Sequence, residues 1–330
     1  MRIYLILLIS TGFSYAFAQS SAEIDAYRKG MDAYLKLDFA NAFEHFSKSA
    51  ESGDRESFTM LAYMALKGEA KGDASQLAQR AQHLGDAKAF YITAEYYRRE
   101  AKDPTRVEDY FDEYREAVEA IRKMADGGDV FWSTRYAHCL TEGLGVEMDC
   151  EAACKYLRQA IEKDYPIAYH NYGVALLNGQ GVPVDYEKSL AMFRIAQSRG
   201  LRASDNGIIE IACRYLYGSF NLKPDVHRAI SLLEELANRN NASALRQLGG
   251  LYNPYWSDLD NYTYSTRQRV MSKPDYKDWN KSLNYYVRAI EQGDESGWSE
   301  AGLSILYKDN AEESQRYRDI AIKKGVPKNF

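Results

Sequence analysis

The cysteines and histidines are the side chains in this chain best suited to bind a metal or to act as nucleophiles. Four cysteines and five histidines occur among the 330 residues, and the histidines are scattered rather than grouped. The sequence has no paired C-x-x-C, no H-E-x-x-H, no G-x-S-x-G and no phosphate-loop motif. No serine is followed three residues later by a lysine, so the serine β-lactamase pattern is missing as well. The sequence therefore predicts a protein that is not an enzyme and that holds no metal ion and no cofactor.

Three of the cysteines, Cys139, Cys150 and Cys154, lie close together, whereas Cys213 stands apart. In an exported chain such cysteines meet oxidising conditions in which disulfides form. We favour a Cys139–Cys154 bridge, because a side chain one turn inside a helix that begins near Cys150 should face the preceding helix. A Cys139–Cys150 bridge is the alternative. The other interpretation is that all four cysteines are small, buried apolar side chains.

A segment near 253–276 combines aromatic and basic side chains. Aromatic residues and arginine carry much of the binding energy of protein interfaces, whereas loops are usually poor in aromatics. We therefore predict that this segment contacts a partner protein. The alternative is a loop that folds back and buries its own rings. The candidate partner-binding residues are Tyr255, Trp256, Tyr262, Tyr264, Arg267, Arg269 and Tyr276.

The first 18 residues have the three regions of a secretory signal peptide. Arg2 provides the positive start, an apolar run follows it, and Ala16-Phe17-Ala18 matches a cleavage site, with cleavage predicted after Ala18. No later apolar run approaches the roughly 20 residues that span a bilayer. The formal charge of -5 gives no basic face for phosphates. The sequence thus predicts a periplasmic or secreted chain with no integral membrane segment after cleavage and no nucleic-acid partner.

Glycine and alanine recur at regular intervals, which indicates an internal repeat. The stretch from Gly143 to Asp149 (GLGVEMD) returns 36 residues later, from Gly179 to Asp185 (GQGVPVD). With the aspartate as position zero, a small residue follows at +4, a bulky one at +8, an apolar one near +11 and a turn residue at +15. Gly145 and Gly181 occupy the second glycine of the two stretches.

Eight copies of this template cover residues 19–330, which we predict to be a single domain. The zero positions are Asp38, Ala70, Glu113, Asp149, Asp185, Asp225, Asp278 and Asn310. The residues at +15 are Gly53, Gly85, Gly128, Asp164, Gly200, Asn240, Gly293 and Gly325. The intervals before Glu113 and Asp278 are the longest, which predicts insertions near 101–114 and 253–276. Asp103-Pro104 reads as a helix start within the first of them.

Positions +4, +8 and +11 share one helix face, so each copy encodes a helix, which we call helix B. Aspartate at zero caps the start of helix B, and glycine or asparagine at +15 ends it in the left-handed conformation. A second helix, helix A, precedes each B, as in Ala168–Asn178 and Ala242–Tyr252. One hairpin cannot bury its apolar face, so neighbouring hairpins supply the core. We expect Tyr63, Tyr96, Tyr136, Tyr172, Leu248 and Leu303 to be stacking residues of the A helices. The predicted fold is all-α: an α/α solenoid of about eight stacked hairpins in a right-handed superhelix.

The segments from Gly143 to Asp149 and from Gly179 to Asp185 resemble the Sel-1-like repeat (SLR) family. In that family an A-x-x-L-G-x-x-Y helix precedes a G-x-G-V-x-x-D-x-x-K-A segment, and Lys188-Ser189 and Lys281-Ser282 stand near its Lys-Ala pair. The related TPR family has uniform units of about 34 residues and lacks the G-x-G-V turn. The resemblance implies a scaffold or adaptor that presents a groove to partner proteins.

We therefore favour an exported, non-catalytic scaffold that binds protein partners through the solenoid groove and the 253–276 segment. Two alternatives remain open. Some cysteine-rich exported SLR proteins are described as penicillin-binding with weak β-lactamase activity, but they pair cysteines in most repeats and this chain does so in one hairpin only. The other alternative is contact with cell-wall glycans through the tyrosine-rich surface.

Overall fold

The computed structural model describes residues 25–100, 111–219, 222–255 and 277–328. These residues form sixteen helices and no β-strand, apart from one isolated antiparallel bridge between Ser219 and Leu222. The predicted all-α fold is confirmed. The helices are α1 (25–35), α2 (Phe39–Glu51), α3 (Arg55–Lys67), α4 (Ala74–His83), α5 (Ala89–Glu100), α6 (Phe111–Asp126), α7 (Val130–Glu142), α8 (Cys150–Glu162), α9 (Pro166–Asn178), α10 (Tyr186–Ser198), α11 (Ser204–Tyr217), α12 (Val226–Ala237), α13 (Ala242–Tyr252), α14 (Trp279–Glu291), α15 (Trp298–Leu306) and α16 (Ala311–Lys323).

Consecutive helices pair into eight hairpins within the described residues, with the odd-numbered helices as A helices and the even-numbered ones as B helices. Contacts between Cα atoms divide the chain into two compact units, one ending at Leu201 and the other beginning at Arg202. In the first unit the A helices α3 and α5 touch each other, as do α7 and α9. In the second unit α13 touches both α11 and α15. Neighbouring A helices thus form a packed layer inside each unit, which is how stacked hairpins bury their apolar faces.

Six of the eight zero positions cap a B helix. The side chains of these residues accept a hydrogen bond from the backbone N–H three residues on, which satisfies one of the free donors of the first turn. The distances run from 2.8 Å at Asp149 to 3.2 Å at Asp38 and Asn310. The caps are Asp38, Asp149, Asp185, Asp225, Asp278 and Asn310.

The other two zero positions differ from the prediction. In the second hairpin helix α4 begins at Ala74 and its cap is Asp73, whose carboxylate accepts from the N–H groups of Ser75 and Gln76. Ala70 cannot cap because it has no side-chain acceptor. In the third hairpin Glu113 lies inside the first turn of α6, where its negative charge suits the positive end of the helix dipole. The predicted helix start at 103–104 lies outside the described residues.

All eight +15 residues have positive φ, as a left-handed helix end requires. Six are glycines, with φ between 82° at Gly128 and Gly293 and 97° at Gly325. The other two are Asp164 at 56° and Asn240 at 59°, the residue types that tolerate this conformation after glycine.

The core is built from the template positions. Ala42, Ala117, Ala153, Ala229, Ser189 and Ser282 at +4 are at most 1% exposed. At +8, Phe46, Phe193 and Tyr286 are fully buried, and each ring lies against a glycine of helix A: Gly30, Gly173 and Gly249. A Cβ added at any of these glycines would approach its ring to 2.9 Å or less. Glycine in the A helix therefore makes room for an aromatic ring in the B helix.

The G-x-G-V turn joins one hairpin to the previous one. Gly145 has φ +67°, and a Cβ there would lie 2.5 Å from the Tyr114 carbonyl carbon in α6. Gly181 has φ +71°, and its Cβ would meet the Cys150 carbonyl oxygen and would lie 2.6 Å from the Glu151 nitrogen in α8. Both turns therefore dock on the first turn of the preceding B helix, at a place with no room for a side chain.

The end of each such turn is closed by a backbone hydrogen bond from the capping aspartate to helix A. Asp149 N–H donates to Leu140 O at 2.9 Å, and Asp185 N–H donates to Leu176 O at 3.0 Å. In the seventh hairpin the same bond joins Asp278 N–H to Tyr252 O at 2.9 Å, although the predicted insertion lies between them. The same hydrogen bond therefore closes hairpins with and without a predicted insertion between their helices.

Among the described residues, we find no helix that combines the length and the apolar character needed to cross a bilayer. The predicted signal peptide, residues 1–18, lies outside the described residues.

Candidate interaction face

The predicted partner-binding segment, 253–276, is described only at residues 253–255, and Tyr255 is the one candidate residue among these. Tyr255 N–H donates to the side-chain oxygen of Asn253 at 2.9 Å, and Lys308 Nζ lies 3.9 Å from the centre of the Tyr255 ring. Asn253 is buried and donates to Gly302 O at 3.3 Å, so the start of the segment is fixed to helix α15. The remaining predicted residues lie outside the described residues: Trp256, Tyr262, Tyr264, Arg267, Arg269 and Tyr276.

All four cysteines are free thiols in the structure, so it does not contain the predicted Cys139–Cys154 bridge or the alternative with Cys150. The two buried thiols, Cys139 and Cys154, contact different parts of the structure. Cys139 packs in the core of hairpins one to four, where burial raises the pKa of its thiol to about 12. Cys154 lies 3.2 Å from Gln180 O, in the turn of the next hairpin, and lines a cavity that Cys139 does not line. Within this hairpin, Cys139 therefore faces the preceding hairpins and Cys154 faces the following hairpin.

The A helices of the first unit carry a buried arginine that sequence reasoning did not single out. Arg135 in α7 is 9% exposed, and its guanidinium carbon lies 5.0 Å from the Tyr63 ring centre and 5.1 Å from the Phe131 ring centre. Its Nη1 donates to the Tyr63 hydroxyl, and its Nη2 donates to Thr134 Oγ1 at 3.3 Å. The cation is thus held between aromatic rings and hydroxyl groups.

Two further cations lie at the same end of α3. Arg99 Nη1 donates to Leu66 O, which places its guanidinium beside the last turn of α3. Lys67 follows Leu66 directly and is one helical turn beyond Tyr63, the partner of Arg135. The Lys67 side chain is exposed, but the neighbouring protein shields its ammonium group from part of the solvent. This desolvation and the positive charges of Arg135 and Arg99 lower the pKa of Lys67. We call Lys67, Arg99 and Arg135 the cation cluster.

Carboxylates near the cation cluster are bound to other groups. Glu69 accepts a hydrogen bond of 2.9 Å from the Tyr34 hydroxyl, and burial raises the pKa of its carboxyl group. Glu95 accepts from the Tyr114 hydroxyl at 2.7 Å and from Arg98 at 3.0 Å. Burial opposes ionisation of Glu95, but nearby His138, Tyr114 and Arg98 hold its pKa below the usual value.

A cavity of about 350 Å³ opens between helices α7, α8 and α9. Its polar lining comes from His138, Thr141, Glu142, Asn171, Asn178 and Gln180, and Cys154 lies beside them. His138 Nδ1 lies 3.2 Å from the Tyr91 hydroxyl, and burial lowers the pKa of its imidazole, so the ring is neutral at neutral pH. The amides of Asn171 and Asn178 make no hydrogen bond to another side chain of the described chain. Such amides can donate to and accept from a peptide group.

Sequence reasoning missed these groups because they lie at A-helix positions outside the B-helix template. Tyr63 and Arg135 touch although 72 residues separate them. The available signal was Arg135 itself, because helix α7 contains no other arginine or lysine. In the described residues no group of three histidine, cysteine or acidic side chains is arranged to hold a metal ion.

Stacked helical hairpins with capped B helices and glycine turns define a helical repeat protein of the Sel1/TPR class. The family model for the Sel1 repeat matches residues 22–54, 134–165, 166–201, 207–241 and 276–294. The chain thus contains Sel1 repeats at five segments, as the resemblance predicted. The structure adds three hairpins of the same design outside these matches: α3 with α4, α5 with α6, and α15 with α16.

The chain is similar to several known proteins at low identity. It is 23% identical over 227 residues to the chitin synthase regulator SKT5 of Saccharomyces cerevisiae, a match covering 66% of this chain and 30% of that protein. Among solved structures, a Sel1 repeat protein from Oxalobacter formigenes is 21% identical, with 90% of this chain and 99% of that chain covered at a TM-score of 0.48. An immunity protein from Pseudomonas aeruginosa is 18% identical, with 73% and 82% covered at a TM-score of 0.36. Sel1-repeat proteins are generally interaction scaffolds, and their fold is typically non-catalytic.

Proposed function

We propose that this chain is an exported, non-catalytic scaffold that binds partner proteins through the A-helix face of its first unit and through the 253–276 segment. The observation that carries the proposal is the polar character of that face. The B helices bury small and apolar template residues, whereas the A helices carry the cation cluster and supply most of the polar groups of the cavity between α7, α8 and α9.

The cavity has the chemistry of a peptide-binding site. Hydrogen-bonding groups line it, among them the Glu142 carboxylate and two asparagine amides that have no side-chain partner in the described chain. Ala137, Ala153, Leu157 and Val174 supply apolar walls. Binding sites of this kind combine apolar contact with a few fixed polar groups. A segment of a partner that lies across α7 and α9 would exchange hydrogen bonds with these amides.

The 253–276 segment is the second element of the proposal. The hydrogen bond from Asp278 N–H to Tyr252 O closes the hairpin at the two ends of this segment. The segment has the aromatic and arginine content of interface hot spots.

Affinity purification from native cells under mild crosslinking tests the scaffold proposal. The full chain should recover a stoichiometric protein partner. Replacement of Tyr262, Tyr264, Arg267 and Arg269 by serine should lower that recovery several-fold. Phe43→Ser with Lys48→Ser, at exposed positions of helix α2, is the control and should leave recovery unchanged. Empty recovery with the full chain, or equal recovery with both variants, would count against this role of the segment.

Export is tested separately. The signal peptide proposed for residues 1–18 requires that the protein be found in the periplasm or the medium with Gln19 as its first residue. N-terminal sequencing of the fractionated protein that found Met1 in the cytoplasmic fraction would refute the export part of the proposal.

A further inference from the structure

Helix α7 ends on a carboxylate without a counter-ion. Glu142 is its last residue and is exposed, and it makes no ion pair with a cation of the described residues. The carbonyl end of a helix carries partial negative charge, so an acidic side chain there gains nothing from the helix. In the first unit, α3 ends on Lys67, and in α5 Arg98 and Arg99 precede Glu100. Helix α7 has no basic residue in its last turn.

Glu142 lines the cavity between α7, α8 and α9, whose volume is about 350 Å³. Among the described residues that line this cavity, Glu142 is the one acidic side chain, and none is a lysine or an arginine. Helix α9 also ends at the cavity, with Asn178 as its last residue and no basic residue in its last turn. The negative ends of two helices and one carboxylate therefore lie beside this space without a cation.

The charged residues around the opening are mostly acidic. Where α7 stops and α8 begins, no lysine or arginine occurs between residues 142 and 151. Asp149 and Glu151 suit the positive end of α8, whereas neither Glu142 nor Glu147 has such a role. All four carboxylates are exposed. Carboxylates grouped in this way produce a negative potential that attracts a positive ligand.

The cations of the three helices do not cancel this potential at the opening. Helix α9 contains no charged residue. Arg135 of α7 is buried, and its guanidinium donates to the Tyr63 hydroxyl. On α8, Lys155 and Arg158 follow Glu151 by four and seven residues, and the Arg158 guanidinium carbon lies 6.0 Å from the Tyr172 ring centre. Neither residue of α8 lines the cavity.

The remaining lining groups suit a long basic side chain. Ala137, Ala153, Leu157 and Val174 provide apolar contact along one part of the cavity. Lysine and arginine pack their aliphatic stems on such surfaces while the charged end stays near water. The carboxamide oxygen of Asn178, at the exposed end of α9, can accept a hydrogen bond from an ammonium or guanidinium group.

We propose that this cavity binds a lysine or arginine side chain of a partner protein, with Glu142 as its counter-ion and Asn178 as a second acceptor. The inference rests on the proposed scaffold function and specifies the side chain that the cavity takes. A neutral side chain leaves the Glu142 carboxylate without a counter-ion, and an acidic one is repelled by it.

The test uses the full mature chain and a seven-residue glycine–alanine peptide that carries two lysines and is acetylated and amidated at its ends. Isothermal titration calorimetry measures the affinity. The peptide should bind, and binding should weaken as salt is raised, because exposed charges are screened. Glu142→Gln should lower the affinity about fivefold, the size expected for one exposed ion pair. Acetylation of both lysines should lower it at least as much, because it removes their charge.

The matched control is Glu162→Gln. Glu162 is the exposed last residue of α8, so this variant removes the same charge from the same position in a helix, but Glu162 does not line the cavity. It should bind the peptide like the unmodified protein. Both variants remove an acid from the negative end of a helix, so neither should lower the thermal midpoint.

A gain of affinity provides a second test that misfolding cannot imitate. Asn178→Asp adds a second carboxylate at the cavity without a change in side-chain size and should raise the affinity for the lysine peptide about fivefold. Asn284→Asp, at an exposed position of B helix α14, is the control with the same chemical change. It should leave the affinity unchanged.

Three results would overturn the inference: no binding of the lysine peptide to the unmodified protein, equal affinity of Glu142→Gln and Glu162→Gln, or tighter binding of the acetylated peptide or of the same peptide with glutamate in place of lysine. These outcomes leave the scaffold proposal standing if a native partner is still recovered. Failure to recover a partner with the unmodified chain would instead refute the scaffold proposal itself, whatever the peptide does.

Discussion

Both compact units pair cations with carboxylates beside their A helices, as Arg98 with Glu95 shows in the first unit, but the cation cluster of the first unit has no such pairs within the described residues. In residues 202–328, Arg246 lies 3.6 Å from Asp294 and Lys324 lies 2.6 Å from Glu300. In the cation cluster of residues 25–201, Arg135 instead donates to the Tyr63 hydroxyl, and Lys67 lies near Arg135 and Arg99 without an ion pair to a carboxylate of the described residues. Paired charges hold helices together, whereas charges without a carboxylate remain available to a partner. The same kind of side chain thus stabilises the fold where it is paired and, we propose, takes part in recognition where it is not.

The comparison presupposes that template residues rather than charges hold the first unit together. Gly181→Ala tests this, because it combines a left-handed residue with a clash against the backbone of α8. We expect the free energy of unfolding to fall by about 3 kcal/mol. Conformational strain accounts for about 1–2 kcal/mol of this, and overpacking makes a similar contribution.

Gly53→Ala is the matched control for that variant. Gly53 has φ +90°, and a Cβ there would have nothing within 4 Å. Only the conformational strain remains in this variant, so its free energy of unfolding should fall by about 1 kcal/mol. Urea unfolding measures both variants. Equal losses would show that the docking of the turn on α8 does not stabilise the unit.

Lys324→Gln and Lys67→Gln make the same chemical change in the two units. Lys324→Gln leaves the carboxylate of Glu300, whose side chain is 4% exposed, buried without its cation. We expect the free energy of unfolding to fall by about 2 kcal/mol. This is less than the effect of breaking a fully buried ion pair, because Lys324 is partly exposed. Urea unfolding at low and high salt provides the measurement.

Lys67→Gln should change stability by less than about 0.5 kcal/mol, because no carboxylate loses its partner. The lowered pKa of Lys67 agrees with this, since burial and two neighbouring cations disfavour its charged form. If Lys67→Gln destabilised the protein as much as Lys324→Gln, the contrast between the two units would be wrong.

The A-helix face of the first unit should also respond to acid through His138. Burial lowers its pKa in the folded state, and Glu95, Arg135, Arg98 and Glu142 face it. The unfolded chain therefore binds a proton more readily below the unfolded pKa of about 6.5. The stability contribution of the neutral ring is complete above that pH and is lost as the pH falls toward the folded value.

Unfolding free energies of the unmodified protein and of His138→Gln, measured between pH 7.5 and 5 in steps of about half a unit, isolate this effect. The difference between them should change by at most about 1.4 kcal/mol per pH unit, the limit for one titrating group. His227→Gln in the second unit is the control. An unchanged pH dependence in His138→Gln would show that the ring is not buried in its neutral form.

The smallest expected effect on stability is that of reducing the cysteines. The structure holds four free thiols, so a disulfide does not contribute to the difference between the units. Unfolded protein purified without reductant should react with four equivalents of a thiol reagent, and reductant should leave the thermal midpoint unchanged. Two equivalents would restore the predicted bridge of Cys139 with Cys154 or Cys150.

Most of the fold could be predicted because its determinants are local and repeated. Asp225 and Asn240 mark the two ends of one B helix by cap chemistry alone, and the structure places both as the template requires. The prediction failed at Ala70 because the template assumed a constant offset, while the chain caps α4 three residues later at Asp73.

The interaction face could not be predicted in this way, because it depends on contacts between distant helices. Arg135 meets Tyr63 across 72 residues, and Arg99 meets Leu66 across 33. The disulfide prediction failed to match the structure for a related reason. It considered one hairpin by itself, whereas Cys154 is directed to Gln180 of the next hairpin, 26 residues away. The aromatic content of the 253–276 segment was visible in the sequence, but its role there stays a prediction.

Site-specific photo-crosslinking in the native cell tests the central claim most directly. A photoreactive phenylalanine is placed at Asn178, at the cavity on A helix α9, and in a second strain at Lys188, on the exposed surface of B helix α10. The account predicts a discrete protein adduct from position 178 and none from position 188. Adducts from 188 alone, or identical adducts from both positions, would contradict the claim that the A-helix face binds the partner.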